Sequence, residues 1–192
     1  MARFDAVIFD MDGTLVESLL DFGAIRDELG IDRDQGILEA IEAMAAEPRR
    51  LAARRLLAHE LRGARSATLI PGARETVRAV GRAGMKTALM TRNARQVMEI
   101  ILAKFPLRFD LAWAREDGPV KPAPDGVLAA CRRLGVAPER TVSIGDFRYD
   151  IEAANAAGAV SVLLSRDGPR DFADQADFVI SELTELSGIL DL

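Results

Sequence analysis

The chain carries two aspartates two positions apart, Asp10 and Asp12, directly after the apolar run Ala6–Phe9. In an extended chain, residues i and i+2 point to the same side, so both carboxylates can face one ligand. Two like charges held so close repel each other unless a cation or a proton separates them. The pair therefore predicts a divalent metal site, and a metal flanked by carboxylates is typical of phosphate chemistry.

Further polar residues follow other apolar runs. Thr91 directly follows one of these runs, and Asp146 follows another after Gly145. Asp150 comes four positions after Asp146, which places the two acids on one face if a helix has begun. Lys121 lies just before a helical pattern and supplies a positive charge. Because ligands of open α/β sheets bind beyond the carboxyl ends of the strands, we expect these side chains to share one site.

Alternating strands and helices carry these residues. Six short apolar runs, many of them rich in β-branched residues, recur at 6–9, 87–90, 111–113, 141–144, 161–164 and 178–180. Helical patterns closed by glycine separate most of them, for example at 71–84, 124–135 and 149–158. Near-continuous apolar strands that alternate with helices indicate a parallel sheet covered on both faces. The sequence predicts a Rossmann-like, doubly wound α/β core.

One region breaks the alternation. Residues 16–70 contain no strand pattern and three helical stretches, at about 18–29, 34–46 and 48–65. This connection is too long for a simple loop between a strand and a helix. The sequence therefore predicts a core domain of residues 1–15 and 71–192 and a small helical cap domain of residues 16–70. Hinges near residues 16–17 and 70–71 would let the cap open and close.

Composition narrows the class of protein. The 192 residues suffice for one core and a small accessory domain, and the net charge of −5 does not favour nucleic-acid binding. The N-terminus does not read as a signal peptide, and nothing approaches the roughly 18 apolar residues of a membrane span. Cys131 is the one cysteine, so no internal disulfide forms. We expect a cytoplasmic protein without membrane or nucleic-acid partners.

The motifs together resemble a known family. They are Asp10-Met11-Asp12-Gly13-Thr14, Thr91, Lys121 and Gly145-Asp146-Phe147-Arg148-Tyr149-Asp150. In this order they resemble the signature of the haloacid-dehalogenase-like superfamily, and within it the phosphoglycolate-phosphatase-like branch. The resemblance implies a magnesium-dependent phosphatase that hydrolyses a small phosphorylated metabolite through an aspartyl-phosphate. We expect a monomer or a homodimer.

The resemblance also implies a role for each motif residue. Asp10 would attack phosphorus, and Asp12 would protonate the leaving alcohol and then take a proton from water. Mg²⁺ would be held by Asp10, by the backbone carbonyl of Asp12 and by Asp146, with Asp150 in support. The residues expected to bind the phosphate, through side chains or backbone N–H groups, are Met11, Thr91, Arg92, Asn93 and Lys121.

Two alternatives remain open at this point. A phosphomutase or other phosphotransferase would share the aspartyl-phosphate, and a catalytically silent module would only bind phosphate. Dehalogenase chemistry is disfavoured because it does not need a proton donor such as Asp12. Phosphonate cleavage is disfavoured because it needs a cap lysine, and residues 16–70 contain none.

The third helical stretch of the cap is rich in arginine, at positions 49, 50, 54, 55, 62 and 65. One hypothesis is that one or two of these arginines bind a carboxylate or a second phosphate of the substrate. The other is that they form a solvated helix face. His59, the one histidine, is interpreted as a surface or packing residue.

Overall fold

A computed structural model describes residues 3–192. The strands are β1 (Ala6–Phe9), β2 (Val16–Glu17), β3 (Thr68–Leu69), β4 (Lys86–Met90), β5 (Leu111–Trp113), β6 (Thr141–Gly145), β7 (Val160–Leu164) and β8 (Phe178–Ile180). The α-helices are α1 (Phe22–Leu29), α2 (Ile37–Ala43), α3 (Ala46–Ser66), α4 (Ala73–Arg82), α5 (Arg95–Lys104), α6 (Asp125–Leu134), α7 (Arg148–Ala157) and α8 (Leu186–Leu190). None of the helices in the described part of the chain is long and apolar enough to cross a bilayer.

Six strands form one sheet in the order β5-β4-β1-β6-β7-β8, and each pair of neighbours is parallel. The chain runs outward from β1 on one side through β4 and on the other through β6, so β1 lies at the point where the strand order reverses. In open α/β sheets a ligand-binding crevice lies outside the carboxyl ends of the strands at such a point. The predicted doubly wound α/β fold is confirmed.

Both faces of the sheet are buried, which explains why its strands are nearly continuous in apolar residues. In β1, Phe9 belongs to the core cluster on one face and Ile8 to the cluster on the other. The first cluster includes residues of α4, α5 and α8, and the second includes residues of α6 and α7. The register pairs Phe9 with Leu89 and with Ile144, so β4 and β6 end beside the exit of β1.

Residues 18–67, here called the insert, lie between β2 and β3. The two strands pair in antiparallel fashion, with Val16 opposite Leu69, so the chain leaves and re-enters the core at one place. Helices α1, α2 and α3 enclose a small apolar core of their own, which includes Ile25, Ile41 and Leu56. The C-terminal part of α3 also packs on α5 of the main core.

The three helices expected in residues 16–70 are present, with shifted ends. Helix α1 begins at Phe22 and not near residue 18, because the Asp21 carboxylate accepts a hydrogen bond of 2.9 Å from the Ala24 N–H and caps the helix. The expectation that this region holds no strand is wrong. The two-residue strands β2 and β3 are too short to display an alternating pattern.

Candidate active site

Asp10 is the first residue after β1 and lies deep in the protein, with 9% of its surface exposed. Its N–H donates to the carbonyl of Ile144 at 2.9 Å, which extends the β1–β6 ladder by one residue and fixes the backbone there. The carboxylate opens into a cavity of about 310 Å³ between the sheet edge and the insert. The predicted site residues that line this cavity are Asp10, Asp12, Thr91, Arg92, Asn93, Lys121, Asp146 and Asp150.

Met11 is the predicted site residue that does not line the cavity. Its side chain is buried in the main core with 1% exposure. The expectation for Met11 concerned its backbone N–H, and that remains a prediction.

Lys121 links three parts of the site. Its Nζ donates to Asp10 Oδ1 at 2.6 Å, to Asp150 Oδ1 at 2.5 Å and to the Met90 carbonyl at 3.1 Å. Burial disfavours the charge on Lys121, but the attraction of the two carboxylates outweighs it and raises the pKa of Lys121. The ammonium group therefore stays protonated and holds the ends of β1 and β4 to the start of α7.

Three carboxylates gather beside this lysine. Oxygens of Asp10, Asp146 and Asp150 all lie within 4.8 Å of one another. Burial, together with the negative charges of Asp10 and Asp150, raises the pKa of Asp146 to about 8. Burial also raises the pKa of Asp10 to about 7, although Lys121 opposes the shift. Such a cluster of oxygen donors fits a hard divalent cation, which would relieve the repulsion.

The Asp12 side chain is held apart from that cluster by Ser18. The Ser18 N–H donates to Asp12 Oδ1 at 3.1 Å, and the Ser18 hydroxyl donates to Oδ2 at 2.5 Å. Burial raises the pKa of Asp12, while the Ser18 bonds lower it in part. An oriented carboxyl group with a raised pKa is suited to proton transfer. Sequence reasoning did not assign Ser18 to the site, although it lies only four positions after Thr14, the last residue of the motif.

Two glycines leave room for the acidic side chains. Gly13 has φ +86°, and a Cβ there would collide with the Asp146 carboxyl group. A Cβ on Gly145, the last residue of β6, would collide with the side chain of Asp150. Glycine at both positions therefore lets the metal-binding candidates approach the turn after β1 and the end of β6.

The segment after β4 forms another wall. The Asn93 N–H donates to Thr91 Oγ1 at 3.1 Å, and this leaves the Thr91 O–H able to donate to a ligand. Arg92 Nη1 donates to the Lys121 carbonyl at 2.5 Å, and the guanidinium lies 4.4 Å from the centre of the Tyr149 ring. Nη2 of Arg92 reaches the insert, where it donates to both carboxylate oxygens of Glu39 at 2.7 and 2.9 Å.

The insert closes the cavity opposite the sheet. Its wall includes Leu20, Phe22, Arg26, Ile37, Leu56 and Glu60. Glu60 is buried and accepts hydrogen bonds of 2.8 and 3.2 Å from Arg115 of the core. Burial raises the pKa of Glu60, and Arg115 opposes the shift.

The arginines of α3 do not line this cavity, so the hypothesis that one or two of them reach the substrate is not supported. Arg26 of α1 lines it instead, and sequence reasoning missed it because a lone arginine in an ordinary helix carries no distinguishing signal. His59 Nε2 lies 2.7 Å from Oε2 of Glu28. This contact is within the insert and agrees with the interpretation of His59 as a surface or packing residue.

A doubly wound parallel sheet with a carboxylate cluster and a lysine at its switch point defines a Rossmann-like α/β enzyme core. The family model of haloacid dehalogenase-like hydrolases matches residues 4–158. The chain belongs to this family and is a hydrolase. Proteins of this family generally use a divalent metal ion, and the carboxylate cluster is positioned to bind one.

Similar proteins agree with this assignment. A haloacid dehalogenase-like hydrolase domain-containing protein of Arabidopsis thaliana is 31% identical over 98% of this chain and 84% of its own length. The phosphoglycolate phosphatase of Pseudomonas putida is 27% identical over 94% of this chain and 77% of its own length. A hydrolase from Pseudomonas syringae of known structure has the same fold, with a TM-score of 0.82 and 22% identity over 97% of this chain and 98% of that one.

Proposed function

We propose that the protein is a Mg²⁺-dependent phosphatase that hydrolyses a small phosphomonoester through an aspartyl-phosphate on Asp10. The observation that carries the proposal is the contact of Lys121 with both Asp10 and Asp150, beside Asp146. This arrangement combines a buried carboxylate, an acidic cluster for a cation and a positive charge for a phosphoryl oxygen. Membership of the hydrolase family and similarity to phosphoglycolate phosphatases support the same reaction class.

In the first step, an Asp10 carboxylate oxygen attacks phosphorus in line with the ester oxygen. The new bond joins Asp10 to phosphorus, and the phosphorus–ester bond breaks with its electron pair on the leaving oxygen. Asp12 gives a proton to that oxygen and so releases the alcohol. The Ser18 bonds to both oxygens of Asp12 support this role, because they orient its carboxyl group.

In the second step, Asp12 takes a proton from a water molecule, which attacks phosphorus and breaks the bond to Asp10. Inorganic phosphate leaves, and both aspartates return to their starting states. Mg²⁺ held by Asp10, Asp146 and Asp150, with the Asp12 carbonyl, would neutralise phosphoryl charge in both steps. We propose Mg²⁺ because all the donors are oxygens, which hard cations prefer.

The remaining residues bind the phosphoryl group. Lys121 neutralises one oxygen, and the Thr91 hydroxyl donates to another. Backbone N–H groups near Met11, Asp12 and Arg92 complete the set of donors. Their positions at the ends of β1 and β4 support this role, since both strands end at the same cavity.

We further propose that residues 16–70 act as a cap domain over the core of residues 1–15 and 71–192. Closure of the cap would exclude water other than the attacking molecule. The cavity wall supplied by the insert supports this division, as does the shared exit and entry point at β2 and β3.

Hydrolysis of an aryl phosphate with Mg²⁺ and with EDTA tests the proposal. We expect Mg²⁺-dependent phosphate release that Asp10→Asn abolishes while the variant keeps the wild-type circular dichroism spectrum. Near-normal activity of Asp10→Asn would contradict the assigned nucleophile. Absence of phosphate release from a panel of nucleotides, sugar phosphates and 2-phosphoglycolate would contradict the phosphatase, and isomerised sugar phosphate among the products would favour a mutase.

A further inference from the structure

The cavity holds an unbalanced positive charge on its insert side. Three cationic side chains line it, namely Arg26, Arg92 and Lys121. Lys121 lies between two aspartates, and Arg92 pairs with Glu39 at 2.7 Å. Arg26 has no ion-pair partner among residues 3–192. Arg26 is therefore the lining cation that no carboxylate of the described residues pairs with.

The hydrogen bonds of Arg26 are few and long. Nη1 donates to the Phe22 carbonyl at 3.4 Å, and Nη2 donates to the Gln35 carbonyl at 3.2 Å. Nε is buried and has no hydrogen-bond partner within the described part of the chain. A guanidinium has five N–H donors, so much of the capacity of this side chain is unmet.

Nearby acids are already occupied by other arginines. Glu60, which lines the cavity, pairs with Arg115 at 2.8 Å, and Glu17, at the other side, pairs with Arg166 at 3.2 Å. Neither carboxylate forms an ion pair with Arg26. The Arg26 guanidinium is therefore open to an ion pair with an anionic ligand in the cavity.

Apolar side chains share this wall with Arg26. Leu20, Phe22, Ile37 and Leu56 contribute apolar surface to it. The cavity of about 310 Å³ is roughly ten water volumes, which suits a phosphoryl group with a short organic chain.

We propose that Arg26 is a specificity residue that binds a second anionic group on the leaving alcohol of the substrate. The group is a carboxylate or a second phosphate, both of which accept the two parallel N–H donors of a guanidinium. The inference rests on the proposed phosphatase, because it takes the first phosphate to bind at Asp10 and Lys121. If Arg26 has this role, the favoured substrates are short phosphomonoesters with a negatively charged group at each end.

Matched substrates test this assignment. In one pair, 2-phosphoglycolate is compared with 2-hydroxyethyl phosphate, which carries a neutral hydroxymethyl group in place of the carboxylate. In the other, propanediol bisphosphate is compared with 3-hydroxypropyl phosphate. We expect the wild type to prefer the doubly charged member of at least one pair in kcat/KM. The pair in which the preference appears identifies the carboxylate or the phosphate as the recognised group.

The variant Arg26→Gln should reduce that preference by about 10- to 100-fold, which corresponds to the loss of a charge-assisted hydrogen bond. Its kcat/KM for the hydroxyl substrate should change little, and Arg26→Lys should restore part of the preference. The control Arg54→Gln removes an exposed arginine of α3 outside the cavity and should leave the preference unchanged.

Two results would overturn the inference. One is a wild type without preference in either pair. The other is an equal fall of kcat/KM for charged and hydroxyl substrates in Arg26→Gln, which would assign Arg26 to holding α1 against the Gln35 loop. A thermal melt of each variant separates this second result from global unfolding.

Binding separates failure of the inference from failure of the proposed function. Calorimetry measures the binding of 2-phosphoglycolate and propanediol bisphosphate to the inactive Asp10→Asn protein, with and without Arg26→Gln. Weaker binding by about 10-fold or more in the double variant supports the anion site even if the wild type hydrolyses none of the substrates. Equal binding by the two proteins overturns it.

Discussion

Arg92 of the core and Glu39 of the insert face each other across the rim of the cavity and share two hydrogen bonds, of 2.7 and 2.9 Å. The same guanidinium donates to the Lys121 carbonyl and lies over the Tyr149 ring. One side chain thus joins the segment after β4, the loop before α6 and helix α7 to helix α2 of the insert. This contact holds the insert against the core.

Glu39→Gln is expected to loosen the insert without unfolding the protein. Because the Glu39 carboxylate is about half exposed, its ion pair contributes no more than about 1 kcal/mol to stability. Backbone amides of α2 should nevertheless exchange hydrogen faster, while those of α7 are unchanged. Hydrogen-exchange mass spectrometry measures both. Glu47→Gln, which breaks an exposed pair with Arg50 within α3, is the control, and equal exchange in the two variants would contradict the prediction.

Lys121→Met is expected to destabilise the metal-free protein by about 3–5 kcal/mol, since it leaves the carboxylates of Asp10 and Asp150 buried without their cation. Urea unfolding at neutral pH measures the change. Lys86→Met removes an exposed lysine 3.6 Å from Asp110 and should cost about 1 kcal/mol or less. If the two variants lose similar stability, the buried charge cluster is not what Lys121 stabilises.

Gly13→Ala is expected to impair Mg²⁺ binding and activity beyond its cost in stability. The substitution adds a Cβ at a positive φ and directs it into the Asp146 carboxyl group. Gly30→Ala is a matched control, because Gly30 also has a positive φ, of +66°, but a Cβ there meets nothing within 4 Å. Both variants should lose comparable stability through backbone strain. Only Gly13→Ala should bind Mg²⁺ more weakly in calorimetry, and wild-type affinity in that variant would contradict the prediction.

Glu60→Gln is expected to change the dependence of stability on pH. Burial raises the pKa of Glu60 above its usual 4.5 in the folded state. The folded protein therefore binds the proton of the Glu60 carboxyl group more tightly than the unfolded chain does. The resulting stabilisation is complete below pH 4.5 and is lost as pH rises through the folded-state pKa. Glutamine does not titrate, so the variant should gain stability relative to wild type over this range. Urea unfolding at about pH 5 and about pH 8 measures the free energy of unfolding of both proteins. If the difference between variant and wild type is the same at the two pH values, Arg115 offsets the effect of burial on Glu60 in full.

Much of the core is predictable from the chain because its strands are buried on both faces. Ile8 and Phe9 point into opposite clusters, and so the run that contains them is apolar without alternation. The order of strands in the sheet depends on contacts distant in sequence and is not predictable from such runs. The two-stranded ribbon of β2 and β3, in which Val16 pairs with Leu69, was missed for a related reason. A strand of two residues is too short to show an alternating pattern.

The candidate site likewise has a part that is predictable from the sequence and a part that is not. Asp10, Thr91 and Asp146 could be grouped from sequence because parallel strands end at one edge of a sheet. The insert residues could not, because the side of a helix that faces a cavity depends on how the helix docks. Arginine-rich α3 drew the hypothesis of a substrate contact, whereas the cavity holds Arg26 of α1.

The ribbon of β2 and β3 has a consequence for the architecture as a whole. Because Val16 and Leu69 are paired, everything between them is, for the sheet, equivalent to the loop of a hairpin. We therefore expect changes in its length and content to leave the order and the register of the six parallel strands as they are. On this expectation, the cavity wall opposite the sheet is an exchangeable module, and Asp10, Lys121 and Asp146 keep their geometry when it changes.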